Sequence, residues 1–232
     1  MPATRRAILT AIAAAPLVAV PRAWAAPRLS AKVTETGIGA FVVGDPDAKL
    51  RLVQYFSFTC GACGVFAGTA DVPLKTGYID RRLVAFEYRN LIRDPLDMTA
   101  ALLARVSGAA GFPGHYRAIM AAQQTWLTRA SKLPEAVQAK WYEGSVAERA
   151  ARMARDSGLD ALMRTRGVTA AQMTAALASE VAQAELTAMT NIARGTDRIA
   201  STPSFLLQGK LLANVHNWPD VKSRLDQALS AA

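Results

Sequence analysis

The sequence is poor in cysteine and histidine, with two of each among 232 residues. Two cysteines cannot form the several crosslinks of a disulfide-dense scaffold, nor can they supply the four thiolates of a zinc or iron–sulfur site. Hydrophobic residues make up 51% of the chain and charged residues 19%. This balance excludes a disordered chain and allows a hydrophobic core of ordinary size. The two cysteines therefore act, if they act chemically at all, as one pair.

The sequence also lacks clustered basic residues, although its formal net charge is +9. Beyond residue 25 the lysines and arginines are scattered, mostly singly, and the longest basic run is Arg81-Arg82. A nucleic-acid surface needs clustered positive charge to neutralise several phosphates. We therefore expect no nucleic-acid partner.

Long hydrophobic runs are missing except at the start of the chain. Arg5 and Arg6 precede a charge-free apolar stretch over residues 7–20, and Ala23 and Ala25 are the small residues that a signal peptidase reads. This pattern predicts a signal peptide over residues 1–25, with export by the Sec or the twin-arginine route and a periplasmic location. No later segment is apolar over the length that a membrane span needs.

The first part of the remaining chain has the pattern of a βαβ unit. Apolar stretches predict strands over residues 40–43, 50–58 and 83–89, and residues 63–75 are compatible with a helix that Pro73 kinks or ends. Two strands joined through a helix are parallel. We therefore expect the strands at 50–58 and 83–89 to pair in parallel.

A long helical stretch follows before strand signals return. Capping boxes at Ser145 and Thr169 each predict the start of a helix, and the second helix could run to Arg194. Strands at 204–207 and 211–213 then form a hairpin, and an amphipathic helix covers 220–229. We predict an α/β, thioredoxin-like fold with a helical insertion domain. Its thioredoxin-like domain comprises residues 40–92 and 196–232, and the insertion comprises residues 93–195.

Cys60 and Cys63 form a C-x-x-C pair where the second strand leads into a helix. The free N–H groups and positive dipole end of a helix N-terminus stabilise an anion, so we expect a lowered pKa for Cys60. Cys63 lies one turn later on the same face and could resolve a mixed disulfide formed at Cys60. Gly61 and Ala62 offer no steric obstacle.

Two other interpretations of the pair stay open at this point. A structural disulfide is one, although closing a four-residue loop constrains the unfolded chain little. A metal site is the other, but His115 and His216 have no ligand spacing to the pair, and each suits a surface or capping position better than a catalytic one. A c-type haem needs a histidine where this chain has Gly64. We expect no metal and no cofactor.

A second motif, STPSF at residues 201–205, precedes the last hairpin. Pro203 could be an ordinary proline at the first position of a strand. Alternatively, the Thr202–Pro203 bond could be cis, with the loop lying against the cysteines. The residues alone do not choose between these.

The chain resembles the exported DsbA-like thiol:disulfide oxidoreductases of the thioredoxin superfamily. The resemblance rests on residues 43–48 (VGDPDA), 52–63 (LVQYFSFTCGAC) and 202–205 (TPSF), followed by Gly209-Lys210. It implies that Cys60 is the nucleophile, that Cys63 is the resolving cysteine and that Pro203 is the family's cis-proline. It also implies that the backbone of Thr202 pairs with the substrate chain, and that the insertion caps the active site.

The resemblance further implies the reaction and the partners. The disulfide would pass to folding client proteins that contain cysteines, and a quinone-coupled membrane protein would reoxidise the pair. The best-known relatives have Pro-His between the cysteines, where this chain has Gly61-Ala62. We therefore predict a less depressed pKa for Cys60 and a less oxidising couple.

Two alternative functions stay open. A reductase or isomerase would use the same thiol–disulfide exchange in another direction. The exported isomerases of this superfamily usually have a separate dimerisation domain, but only residues 26–39 precede the first predicted strand here. We therefore expect a monomer. The other alternative is a chaperone or binding module with an inert structural disulfide.

Overall fold

A computed structural model describes residues 28–231 of the chain. The predicted signal peptide, residues 1–25, lies outside these residues. Among the helices of residues 28–231, none is both long enough and apolar enough to cross a bilayer.

The described residues form one mixed six-stranded sheet. Its strands are β1 (Val33–Glu35), β2 (Phe41–Val43), β3 (Leu50–Phe56), β4 (Val84–Asn90), β5 (Ser204–Leu207) and β6 (Lys210–Leu211). Their spatial order is β1-β2-β4-β3-β5-β6. The two longest strands, β3 and β4, lie at the centre, as their almost continuous burial requires.

The pairing of β3 with its two neighbours places the ends of these strands. β3 and β4 are parallel, from Leu50 opposite Val84 to Phe56 opposite Asn90, which confirms the predicted parallel pair. β3 and β5 are antiparallel, with Tyr55 opposite Ser204. The chain entering β5 therefore lies beside the chain leaving β3.

Helices connect and cover the sheet. The helix after β3 is α1 (Gly61–Leu74), which continues into a π-helical turn over Lys75–Ile79, and the last helix is α10 (Trp218–Ser230). Between β4 and β5 lie α2 (Pro95–Ala104), α3 (Gly108–Ala121), α4 (Gln123–Ser131), α5 (Glu135–Ala139), a 3-10 turn (Lys140–Tyr142), α6 (Val146–Ser157), α7 (Leu159–Thr165), α8 (Ala170–Leu177) and α9 (Glu180–Gly195).

The two faces of the sheet have separate packing partners because side chains alternate along a strand. On one face, Val53 and Tyr55 of β3 cluster with Ala193 of α9. On the other, Phe205 of β5 packs against Phe66 of α1, with ring centroids 4.7 Å apart. These observations confirm the predicted class, a thioredoxin-like α/β fold with helices inserted between its strands.

Several predicted boundaries were wrong. β3 ends at Phe56, because residues 57–60 turn towards α1. The sheet has an additional strand, β1, ahead of the predicted 40–92 range; it is short and largely exposed, so it shows no alternation. The hairpin turn is only Gln208-Gly209, both with positive φ, so β6 starts at Lys210. Pro73 lies inside α1, one residue before its end.

The helix starts predicted from capping residues were more accurate than the predicted helix ends. Ser145 and Thr169 both form complete capping boxes, as predicted. However, the helix starting after Thr169 ends at Leu177, because Ser179 caps a new helix by accepting a hydrogen bond from the Ala182 amide. The predicted single helix reaching Arg194 is therefore two helices, α8 and α9.

Candidate active site

The cysteine pair lies at the start of α1, directly after a tight turn that leaves β3. Cys60 has an extended backbone conformation and is the N-cap residue, so the helix begins at Gly61. The Cys60 amide donates to the Ser57 carbonyl at 3.3 Å, and the Cys60 carbonyl accepts from the Cys63 amide at 3.0 Å. This local hydrogen bonding places Cys63 one turn into the helix, behind Cys60.

The two thiols differ in exposure and acidity. Cys60 keeps 7% of its surface exposed and Cys63 none, so a large substrate can reach only Cys60. The pKa of Cys60 is lowered to about 5, mainly because the Cys63 thiol donates a hydrogen bond to its sulfur; burial opposes this, while the Thr202 side chain, the Cys63 amide and the charge of Arg93 assist it. Burial raises the pKa of Cys63 far above its ordinary value. Cys60 is therefore the thiolate and Cys63 the proton donor.

The loop before β5 lies against Cys60. The Thr202–Pro203 bond is cis, and the Thr202 carbonyl oxygen is 3.1 Å from Cys60 Sγ. That carbonyl can accept from the Cys60 thiol but offers no donor to a thiolate, so it does not contribute to the lowered pKa. The antiparallel pairing of β3 with β5 brings residues 202 and 203 to the cysteines, because it places the start of β5 beside the end of β3.

Two buried polar side chains that the sequence analysis did not identify hold the turn before Cys60. The Gln123 side-chain amide donates to the carbonyls of Phe58 and Cys60, at 2.7 and 2.9 Å. The Asp97 carboxylate accepts from the Phe58 amide at 2.8 Å. Both come from the inserted helices, and nothing in their local sequence indicates contact with a segment so far back in the chain.

The two histidines lie in different surroundings. His115 is buried, with Nδ1 3.3 Å from the carbonyl of Ala104, the last residue of α2, so of the two predicted positions, surface or capping, it has the capping one. His216 is exposed and its Nδ1 lies 2.8 Å from the Pro203 carbonyl, next to the cis bond. Neither joins a cluster of metal-ligating side chains; residues 28–231 contain no group of three or more His, Cys, Asp or Glu that could hold a metal ion.

A largely apolar groove of about 290 Å³ begins beside the cysteine turn. Thr59 lies at one end, and the walls come from α2, α4 and the 3-10 turn, including Leu96, Leu127, Trp141 and Tyr142. Tyr142 is 66% exposed. An apolar side chain next to a cysteine bound at Cys60 could therefore enter the groove.

A C-x-x-C pair at the start of the first helix, on a sheet of this topology and beside a cis-proline, defines a protein of the thioredoxin-fold class. The comparisons agree. A family model described as thioredoxin matches residues 36–227, so the chain belongs to the thioredoxin family. The resemblance to this superfamily expected from the sequence is thus confirmed.

Similar proteins include both solved structures and curated sequences. A protein-disulfide isomerase from Novosphingobium aromaticivorans is 33% identical, with a TM-score of 0.76 over 81% of this chain and 98% of that one. Wolbachia pipientis alpha-DsbA1 has the same fold at 15% identity, with a TM-score of 0.63 over 82% of this chain and 90% of that one. A Rickettsia bellii protein, provisionally named a protein-disulfide oxidoreductase, is 27% identical over 81% of this chain. The match spans 64% of that relative's length.

Proposed function

We propose that the protein is a thiol:disulfide oxidoreductase that transfers the Cys60–Cys63 disulfide to folding proteins. The observation that carries the proposal is the contrast between the two thiols. Cys60 is slightly exposed with a pKa lowered to about 5, whereas Cys63 is fully buried with a raised pKa. Such a contrast suits one sulfur that joins the substrate and one that stays behind it.

The reaction has two exchange steps. A client thiolate attacks Sγ of Cys60 in the disulfide, the Cys60–Cys63 bond breaks, and Cys63 leaves as a thiolate that takes up a proton. A second client thiolate then attacks the client sulfur of the mixed disulfide and releases the Cys60 thiolate. The client loses two electrons and gains a disulfide, and the Cys60–Cys63 pair is reduced.

The stabilised Cys60 thiolate favours this direction. It is the leaving group of the second step, and a thiol of lower pKa leaves faster. It also stabilises the reduced pair, which makes the disulfide more oxidising. The pKa lies between about 7 for thioredoxin and about 3.5 for DsbA. This intermediate value is in line with the less oxidising couple predicted from Gly61-Ala62.

The proposal includes a surface for the client and a route for reoxidation. The backbone of Thr202, next to Cys60, would pair with the client chain, and Pro203 would shape that loop. The apolar groove beside Thr59 would take a neighbouring client side chain. A periplasmic location would provide unfolded exported clients, and a quinone-coupled membrane protein would accept the electrons from the reduced pair. The protein would act as a monomer, without metal or cofactor.

Insulin reduction by dithiothreitol, together with trapping of the mixed disulfide, tests the proposal. Wild type should accelerate reduction and Cys60→Ser should not. Cys63→Ser, the matched control, should accumulate a mixed disulfide at Cys60 with a client that contains a disulfide: the Cys60 thiolate attacks that disulfide, one client sulfur leaves as a thiolate, and no Cys63 thiol is present to resolve the product. If Cys60→Ser retains wild-type activity, the pair is not the reaction centre, and the chaperone or binding alternative takes its place.

Isomerisation is the second candidate, because the 33% identical Novosphingobium protein is named a protein-disulfide isomerase. The reduction potential of the pair, measured by equilibration with glutathione, separates the directions. A potential near those of exported oxidases supports disulfide donation, and one near that of thioredoxin supports reduction. Recovery of activity from scrambled ribonuclease, greater than from reduced ribonuclease, would support isomerisation.

A further inference from the structure

Asp97 is a fully buried carboxyl group that the proposed reaction leaves without a role. Its side chain has no solvent exposure, and it lies in the first turn of α2. An acidic residue is almost never fully buried unless it is paired. No arginine, lysine or histidine of residues 28–231 forms a salt bridge with Asp97. Its hydrogen-bond partners are therefore the guide to its role.

The Asp97 carboxylate joins two segments of backbone. One oxygen accepts from the Phe58 amide at 2.8 Å, and the other accepts from the Arg93 amide at 3.0 Å. Phe58 is in the turn that leads to Cys60, and Arg93 lies just before α2. The carboxylate thus connects the cysteine turn to the start of the inserted helices.

This arrangement is not ordinary helix capping. Asp94 is the N-cap of α2 and accepts from the Asp97 amide at 2.8 Å. In a capping box, the residue at the position of Asp97 would turn back to the N-cap amide. Asp97 instead accepts from the amide of Arg93, one residue before the N-cap, and from the amide of Phe58 in the cysteine turn. Asp94 supports the same connection, because its other oxygen accepts from the Thr59 hydroxyl at 2.7 Å.

The surroundings leave the carboxyl group able to titrate. Burial raises the pKa of Asp97 to about 7, with Asp94 acting in the same direction, and hydrogen bonds from Ser57 and the two amides oppose it. Two other ionisable groups lie at the opposite end of α2. His115 of α3 contacts the Ala104 carbonyl, and Glu185 of α9 accepts a hydrogen bond from Arg105. The ionisable side chains near its own end include Arg93, Asp94, Cys60 and Cys63, together with Tyr142 of the 3-10 turn and Arg149 of α6.

We propose that Asp97 is a positioning residue for Cys60: its carboxyl group holds the Ser57–Cys60 turn against the start of α2 and so keeps the Cys60 sulfur against the Cys63 thiol. The inference rests on the proposed function, since it concerns the nucleophile of that reaction. On this proposal, the contact between α2 and the cysteine turn helps to set the pKa of Cys60.

The variant Asp97→Asn tests the proposal through the pKa of Cys60, followed by thiolate absorbance and by the pH midpoint of alkylation. Loss of positioning should raise that pKa by about one unit. A purely structural role would leave it unchanged, and no charge effect is expected, since a carboxyl group with a pKa of about 7 is already neutral where Cys60 titrates. An unchanged or lowered pKa of Cys60 overturns the proposal. Neither readout requires disulfide exchange, so a failure of the proposed function would be seen separately, in the insulin assay.

Thr99→Val is the matched control. Thr99 is buried two residues further along α2, and its hydroxyl donates to the Pro95 carbonyl without touching the cysteine turn. This variant should destabilise α2 without changing the pKa of Cys60. An equal shift in Thr99→Val would mean that general loosening of α2 is responsible, which contradicts the proposal.

A measurement on the wild type keeps the test valid if Asp97→Asn does not fold. The Phe58 and Arg93 amide proton shifts should follow the carboxyl carbon of Asp97 in an NMR pH titration, because hydrogen bonds to a carboxylate change on protonation. If the Phe58 and Arg93 amide proton shifts stay constant while the Asp97 carboxyl group titrates, the proposal is overturned.

Discussion

Replacing Cys63 by alanine should raise the pKa of Cys60, because the largest cause of its lowered pKa is the hydrogen bond from the Cys63 thiol. The substitution removes the S–H donor but keeps the amide at position 63, which also stabilises the thiolate. Alanine is smaller and favours helix. α1 should therefore persist.

The size of the effect follows from the energy of one hydrogen bond to a charged group, about 1.5–3 kcal/mol. Since one pKa unit corresponds to about 1.4 kcal/mol, the pKa of Cys60 should rise by about one to two units. The wild-type group, with a pKa of about 5, is roughly 99% thiolate at pH 7. At pH 7 the variant should be between about half and nine-tenths thiolate, and at pH 5 it should be mostly thiol.

Thiolate absorbance at 240 nm, measured from pH 3 to 10 on the reduced protein, gives this pKa directly. Alkylation by iodoacetamide supplies a second value from the pH midpoint of the rate. The midpoint is the quantity to compare, because the intrinsic nucleophilicity of a thiolate rises with its pKa and partly offsets a smaller thiolate fraction.

Cys63→Ser is the matched variant, since a hydroxyl can still donate to the Cys60 sulfur. Its Cys60 pKa should lie between those of wild type and Cys63→Ala. An unchanged pKa in Cys63→Ala would refute the reasoning, because the thiol donor could not then be the main stabiliser of the thiolate.

Two further predictions concern the groups that hold the cysteine turn. Gln123→Met keeps the side-chain size but leaves the carbonyls of Phe58 and Cys60 without their donor, so urea unfolding should show a loss of about 2–4 kcal/mol; a loss below about 0.5 kcal/mol would contradict this role. Because burial raises the pKa of Asp97 from 3.8 to about 7, its contribution to stability is full below pH 4 and is lost as the pH rises through about 7. The loss is on the order of 4 kcal/mol, and melting temperatures of wild type should fall more steeply over this range than those of Asp97→Asn.

Local sequence signals predicted the local features of the fold well. Ser145 and Thr169 cap their helices because the partner of each lies three residues away. The order strand, helix, strand along the chain predicted that β3 and β4 are parallel, because the connection between two strands decides their relative direction. Strand β1 escaped prediction because it is three residues long and mostly exposed, so no hydrophobic pattern marks it.

The surroundings of the cysteines were less predictable. Asp97 and Gln123 contact the turn from 39 and 65 positions further along the chain, and neither has a local pattern that indicates this contact. The sequence did not choose between a surface and a capping position for His115, because its burial depends on the packing of α3 against α2. The DPLD segment at residues 94–97 did contain a helix-start signal that could have been recognised: an N-cap aspartate followed by proline.

The sequence by itself determined the cysteine pair, its place between a strand and a helix, and the expected thioredoxin-like class. Spacing along the chain is enough for these, because a strand, a helix start and a C-x-x-C turn are local. The tertiary structure decided what makes the two thiols different. One sulfur is slightly exposed and acidic and the other buried, since the inserted helices and the loop before β5 surround the pair with groups that are distant in sequence. Hydrogen bonding and burial, which set thiol acidity, depend on those distant groups.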